Sequence, residues 1–155
     1  MSIKAWIAVV LIVIVGVSGY WYLDQQPVVD IKDLSLGSNT ILEGQSGTLS
    51  FRVESGWNLP SGAHNVEIRI EAPGILSFYV AGVGKLKEDS DVWFLPLGQL
   101  MKPFNMPVAL MVKAGRLPSM TSSVTNSISI EVFIGGQFRN AKTISLTVDK
   151  ATTAK

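Results

Sequence analysis

His64, in "SGAHNVE", is the chain's only histidine, and a lone imidazole needs a carboxylate or a second ligand beside it before it does acid–base or metal chemistry. No neighbouring residue supplies one at a motif's spacing, so His64 reads as a solvated side chain where a loop enters a strand. Glu88, Asp89 and Asp91 in "KEDSD" offer oxygen ligands of the kind calcium takes. A calcium loop needs more carboxylates and a glycine-enforced turn at fixed positions, so this run reads as a loop tip. Gly82-Val83-Gly84-Lys85 has the look of a phosphate loop, yet it lacks the distant first glycine and the Ser or Thr after the lysine. The serines stand in no G-x-S-x-G or Ser/Lys context. There is no cysteine, which removes disulfides, thiolate metal sites and cysteine nucleophiles together. The expectation is a protein without catalytic residues, metal ligands or a cofactor, and therefore not an enzyme.

Charge leads the same way. Of 155 residues only 16% are charged, and Lys4 is the one charge in the first 23. With Lys4 set aside, 12 of the 13 basic residues remain to balance 12 acidic ones, so the body is close to neutral. A nucleic-acid partner is not expected, because displacing counterions from phosphates needs clustered Lys and Arg.

Residues 5–23, "AWIAVVLIVIVGVSGYWYL", are 19 without a charge. As a helix at about 1.5 Å per residue they reach roughly 28 Å, the thickness of a hydrocarbon core of about 30 Å. Trp6 at one end and Tyr20, Trp21 and Tyr22 at the other fall where interfacial aromatic belts form. Lys4 precedes the run and Asp24 follows it, so the positive-inside rule puts residues 1–4 in the cytoplasm and the rest of the chain outside the cell membrane. The rival reading is a signal peptide cut after Ser18, with Gly16 and Ser18 as the small residues the peptidase reads. Gly16 and Gly19 are three apart and so miss the GxxxG dimer spacing.

After a linker at 24–27 the pattern changes to strict alternation. Leu49, Phe51 and Val53 alternate with Ser50, Arg52 and Glu54. Val66, Ile68, Ile70 and Ala72 alternate with polar partners; so do Ile128, Ile130, Val132 and Ile134, and Ile144, Leu146 and Val148. Each run predicts a strand with one wet face, the signature of antiparallel sheets. Further strands are predicted within 28–36, 75–80, 92–97 and 108–113, making about eight, with Gly135-Gly136 as a tight hairpin turn. The fold class is therefore all-β, an Ig-like antiparallel β-sandwich over 28–149 preceded by one transmembrane helix and followed by a flexible tail at 150–155. A closed barrel is the other architecture this pattern allows.

Residues 28–56, "VVDIKDLSLGSNTILEGQSGTLSFRVESG", resemble the opening of extracellular Ig-like modules of the CARDB type, through Leu36-Gly37-Ser38-Asn39 and Glu43-Gly44. Glu54-Ser55-Gly56 stand where such modules carry an Asn-rich ending. The resemblance implies a sandwich in an extracellular setting and carries over no site residue. In plan, one helix followed by a sandwich, the chain is analogous to anchored stator components of the archaellum.

One apolar stretch escapes alternation. Residues 92–112 hold Trp93, Phe94, Leu95, Leu97, Leu100, Met101, Phe104 and Met106 with three prolines, which exclude a long regular element there. Either these residues fill the sandwich and cap one open end, or Leu100, Met101, Phe104 and Met106, joined by Trp57, form an exposed patch for a protein partner at the cell surface. In the second case serine at 104 and 106 leaves the thermal midpoint nearly unchanged; a large drop puts both in the core. The function expected is a membrane-anchored, non-catalytic structural or interaction module of the cell envelope. The alternatives are a subunit of a surface filament or S-layer-like assembly, with 28–36 as the donated strand, and an accessory subunit of a membrane enzyme complex.

Overall fold

The computed structural model describes residues 12–15, 17, 18 and 27–151. Residues 12–15, 17 and 18 are helical, with Ile12, Val13, Ile14, Val15 and Val17 exposed. Among the described residues no helix is long and apolar enough to cross a membrane. Trp6, Tyr20, Trp21, Tyr22 and most of the expected span lie outside the described residues.

From Val29 onward the alternating runs become eleven strands: β1 (Val29–Leu36), β2 (Thr40–Leu42), β3 (Ser46–Ser55), β4 (Ala63–Glu71), β5 (Leu76–Val80), β6 (Gly84–Lys85), β7 (Lys87–Asp89), β8 (Val92–Met101), β9 (Asn105–Ala114), β10 (Ser123–Ile134) and β11 (Gln137–Asp149). They form two sheets, ordered β1-β3-β9-β5-β6 and β2-β11-β10-β4-β8-β7. All pairings are antiparallel except β2 on β11. The protein is an all-β sandwich.

Side chains explain the two layers. Leu49, Phe51 and Val53 of one sheet face Val66, Ile68 and Ile70 of the other, and all six are buried. Trp93 is fully buried and packs edge-on against Phe78 at 5.6 Å between ring centroids. In β1 the alternation slips between Lys32 and Ser35, where Asp33 takes φ 51° in a bulge. One extra residue moves the inward phase from Val29 and Ile31 to Leu34 and Leu36. Gly135 and Gly136, both at positive φ, make the two-residue turn between β10 and β11. Ser90 and Asp91 form the same kind of turn between β7 and β8 without glycine, which puts the acidic run at a hairpin tip.

Residues 92–112 correct one expectation, for they supply one ten-residue strand and most of a second, which ends at Ala114, despite their prolines. Pro96 lies beside a bulge, since Val66 faces Gly98 while Glu67 faces Pro96. Pro107 pairs with Arg52, one step from the pair in which Met106 faces Val53. Counting from the Ser55 N–H to Phe104 C=O bond, the Arg52–Pro107 pair is a non-hydrogen-bonded one. The proline nitrogen thus points away from β3, on the side of β9 that β5 pairs only from Met111 onward, so no amide donor is required there.

Candidate interaction surface

The strand register defines two ends. At the near end, where the chain enters at Pro27, β1 begins, β3 ends, β4 begins, β8 ends, β9 begins and β10 turns into β11. The loops here are 56–62 and 102–104. Gly56 fixes the incoming chain: its amide donates to the Val28 carbonyl at 2.8 Å, and a Cβ at this position would lie 1.9 Å from the Pro27 oxygen. Only glycine permits that approach.

The two loops are latched together. The Lys102 ammonium donates to the carbonyls of Trp57, at 2.9 Å, and Leu59. Ser55 and Phe104 exchange backbone and hydroxyl bonds at 3.0 Å. Leu59 plugs the end of the core, while the indole of the tied Trp57 projects outward and is 76% exposed.

The five residues expected to form one apolar patch separate. Trp57 and Met101 are exposed, whereas Leu100, Phe104 and Met106 are half-buried against the core. The physical reason is the alternation within β8 and β9: Leu100 and Met101 are consecutive and must face opposite sides, and the connection of only three residues turns Phe104 and Met106 back under the sandwich. Serine at 104 or 106 is therefore expected to cost about 1–2 kcal/mol each, from lost apolar burial. A thermal melt of the full chain in detergent checks this: the midpoint falls by several degrees, and an unchanged midpoint refutes the placement.

The polar candidates find local partners. His64 Nε2 sits 2.8 Å from the Pro60 carbonyl. Glu88 pairs with Lys85 at 3.6 Å, and Asp89 accepts the Ser90 hydroxyl at 3.1 Å. Among the described residues no group of three or more His, Asp or Glu could hold a metal ion.

Two constellations emerge only in the fold. On the outer face of the second sheet the Arg69 guanidinium lies 3.8 Å from the Phe133 ring centroid and 5.5 Å from that of Phe94, with its Nε on Glu67 at 2.8 Å. Phe138 meets Phe133 edge-on, so the ladder crosses β11, β10, β4 and β8. The sequence signal was Phe133, an aromatic at a wet position of an alternating run; its partners are set by register. The second constellation sews β1 to β11 along one side of the sandwich. Asn140 donates to the Val29 carbonyl at 2.9 Å and Lys142 to that of Ile31. Asp30 lies between Lys32, at 3.0 Å, and Lys142, at 3.7 Å.

Burial raises the Asp30 carboxyl, but the Lys32 hydrogen bond, the Lys142 and Lys32 charges and the Ile31 amide together outweigh it and hold the group below the usual carboxylate range. A pKa lowered by folding contributes stability above the unfolded value, about 4, and loses it as pH falls through the folded value. Asp30→Asn is expected to cost about 1 kcal/mol at neutral pH. The difference from the parent chain should close below about pH 4 in denaturant titrations, and a gap that stays constant with pH contradicts this.

These features define an all-β sandwich whose described surface offers apolar loops and an aromatic–guanidinium face. No family model and no curated protein matches the chain. Solved structures that resemble it include a cohesin module from a Clostridium perfringens family 33 glycoside hydrolase, at TM-score 0.48 and 12% identity, covering 81% of this chain and 99% of that one. Spo0M, a sporulation control protein of Bacillus subtilis, aligns at TM-score 0.45 and 12% identity over 79% of this chain. The Pseudomonas fluorescens alkylpurine DNA glycosylase AlkC aligns at 0.38 and 16% over 77%. The chain spans 49% of Spo0M and 30% of AlkC.

Proposed function

We propose that this protein is a membrane-anchored, extracytoplasmic immunoglobulin-like module that acts without catalysis, as a structural or protein-interaction component of the cell envelope. One observation carries the reading. Every buried core side chain among the described residues falls between Val29 and Val148, so the sandwich closes without drawing on the uncharged run at 5–23. An apolar run of that length, surplus to the core, is satisfied in lipid. The strand order adds support for the immunoglobulin-like assignment. β1-β3-β9-β5 and β4-β10-β11 follow the ABED and CFG arrangement of constant-type domains, with β8 added beside β4.

The outer face around Arg69, Phe94, Phe133 and Phe138 is the surface offered to a protein partner, since arginine and aromatic side chains are enriched at such contacts. Strand donation by 28–36 has less to support it. β1 is paired with β3 along its length, and its outer carbonyls at Val29 and Ile31 are taken by Asn140 and Lys142.

Membrane fractionation with intact-mass analysis tests the proposal. The expected result is a full-mass chain that resists alkaline carbonate extraction and whose sandwich is digested by protease added outside intact cells. Recovery in the soluble cytoplasmic fraction refutes it, and a mass corresponding to loss of residues 1–18 replaces the anchor by a cleaved leader.

A further inference from the structure

We infer that the near end of the sandwich is a lipid-contacting surface, with Trp57 and Met101 seated in the headgroup layer of the bilayer that anchors the chain. This rests on the anchored reading above. Position comes first. Between Leu23, the last uncharged residue of the run, and Val28 lie four residues, so the five steps from one to the other reach at most about 18 Å when fully extended. The headgroup layer on one side of a bilayer is itself about 6 Å deep. Val28 is pinned to Gly56, and Trp57 is the next residue along. The 56–62 loop is therefore held within reach of the interface by a short chain that ends beside it.

Chemistry agrees with position. Trp57 and Met101 are 76% and 64% exposed, where the far end exposes Met120 and, among the described residues, no aromatic side chain. Indole is the side chain that favours the lipid–water boundary, with its ring among acyl carbons and its N–H toward headgroups. Residues 56–62 and 101–105 contain no carboxylate, and their one formal charge is Lys102. At the far end the connections carry both signs, Glu43 and Asp91 with Arg116 and Lys150. The acidic groups nearest the near end are Asp24 in the connecting segment, Asp30, which is paired with Lys32 and Lys142, and Glu54, which is paired with Arg52. Lys102 also ties the Trp57 and Leu59 carbonyls, so the loop presents its indole without ordering itself on contact.

The cysteine-free chain makes the test direct. Full-length Ser61→Cys (near end) and Met120→Cys (far end) each receive one environment-sensitive fluorophore. The chains are then reconstituted in vesicles of three parts phosphatidylcholine to one part phosphatidylglycerol, with and without a nitroxide lipid labelled near the headgroup. The expected result is several-fold stronger nitroxide quenching at 61 than at 120, and a marked loss of that quenching when Trp57→Ser and Met101→Ser are added. Equal, weak quenching at both positions in chains that float with the vesicles overturns the lipid contact while leaving the anchor standing. Shielding of position 61 from aqueous iodide without nitroxide quenching overturns it in favour of a protein occupant, such as a second copy. Failure to float overturns the anchored reading, and the lipid contact falls with it.

Discussion

Replacing Trp93 with alanine is expected to cost about 3–5 kcal/mol, enough to unfold a domain of ordinary stability. The side chain is fully buried in β8 and packs edge-on against Phe78, with the Lys85 ammonium 5.0 Å from its ring. Removing it leaves a cavity that two hydrogen-bonded sheets cannot close without breaking register. Trp93→Phe separates packing from polarity. The indole N–H is buried without a hydrogen-bond partner, so phenylalanine forfeits no bond and relieves a desolvated donor. That variant leaves a smaller cavity and should cost about 1–3 kcal/mol, clearly less than the alanine variant. Chemical denaturation of both variants in detergent decides it. A Phe variant as damaged as the Ala variant would show that the indole N–H is satisfied, contrary to this account.

The second large effect is expected at Gly56. An added methyl meets the Pro27 oxygen at 1.9 Å and the Val28 carbonyl group at 2.9 Å, both of them backbone atoms. Neither can rotate away, so Gly56→Ala has to displace the start of β1. The cost is bounded by what that start contributes, chiefly the complete burial of Val29 and the Gly56–Val28 hydrogen bond. A buried valine contributes about 1.5–3 kcal/mol, so a loss of about 2 kcal/mol is expected. Amide hydrogen exchange should report it locally, with protection lost in β1 and at the residue-56 amide, which bonds the Val28 carbonyl, before β10 or β11 changes. Uniform loss of protection across both sheets would refute this picture.

Much of the fold was legible because a half-buried strand repeats every two residues, and the runs around Phe51, Ile68, Ile130 and Leu146 keep that repeat without error. Residues 92–112 were less legible, because proline is forbidden in a strand only where its missing N–H would have a partner. Pro107 lies in the part of β9 that β5 does not reach, a property of sheet order that no local window contains. The candidate surface divided for a related reason. Leu100, Met101, Phe104 and Met106 are alike in composition, but β8 and β9 belong to different sheets, and it is the inward turn at 102–104 that covers some and leaves Met101 outside.

By itself the sequence determined the two-fold alternation and the uncharged run before it, since each is a property of consecutive residues. The tertiary structure alone decided that Arg69 would lie between Phe94 and Phe133, that Lys102 would hold the Trp57 loop, and that Asn140 and Lys142 would close the β1 edge. The closing contact joins residues more than a hundred positions apart. Such pairings follow from strand order and register, which the packing of the whole sandwich fixes and no single segment encodes.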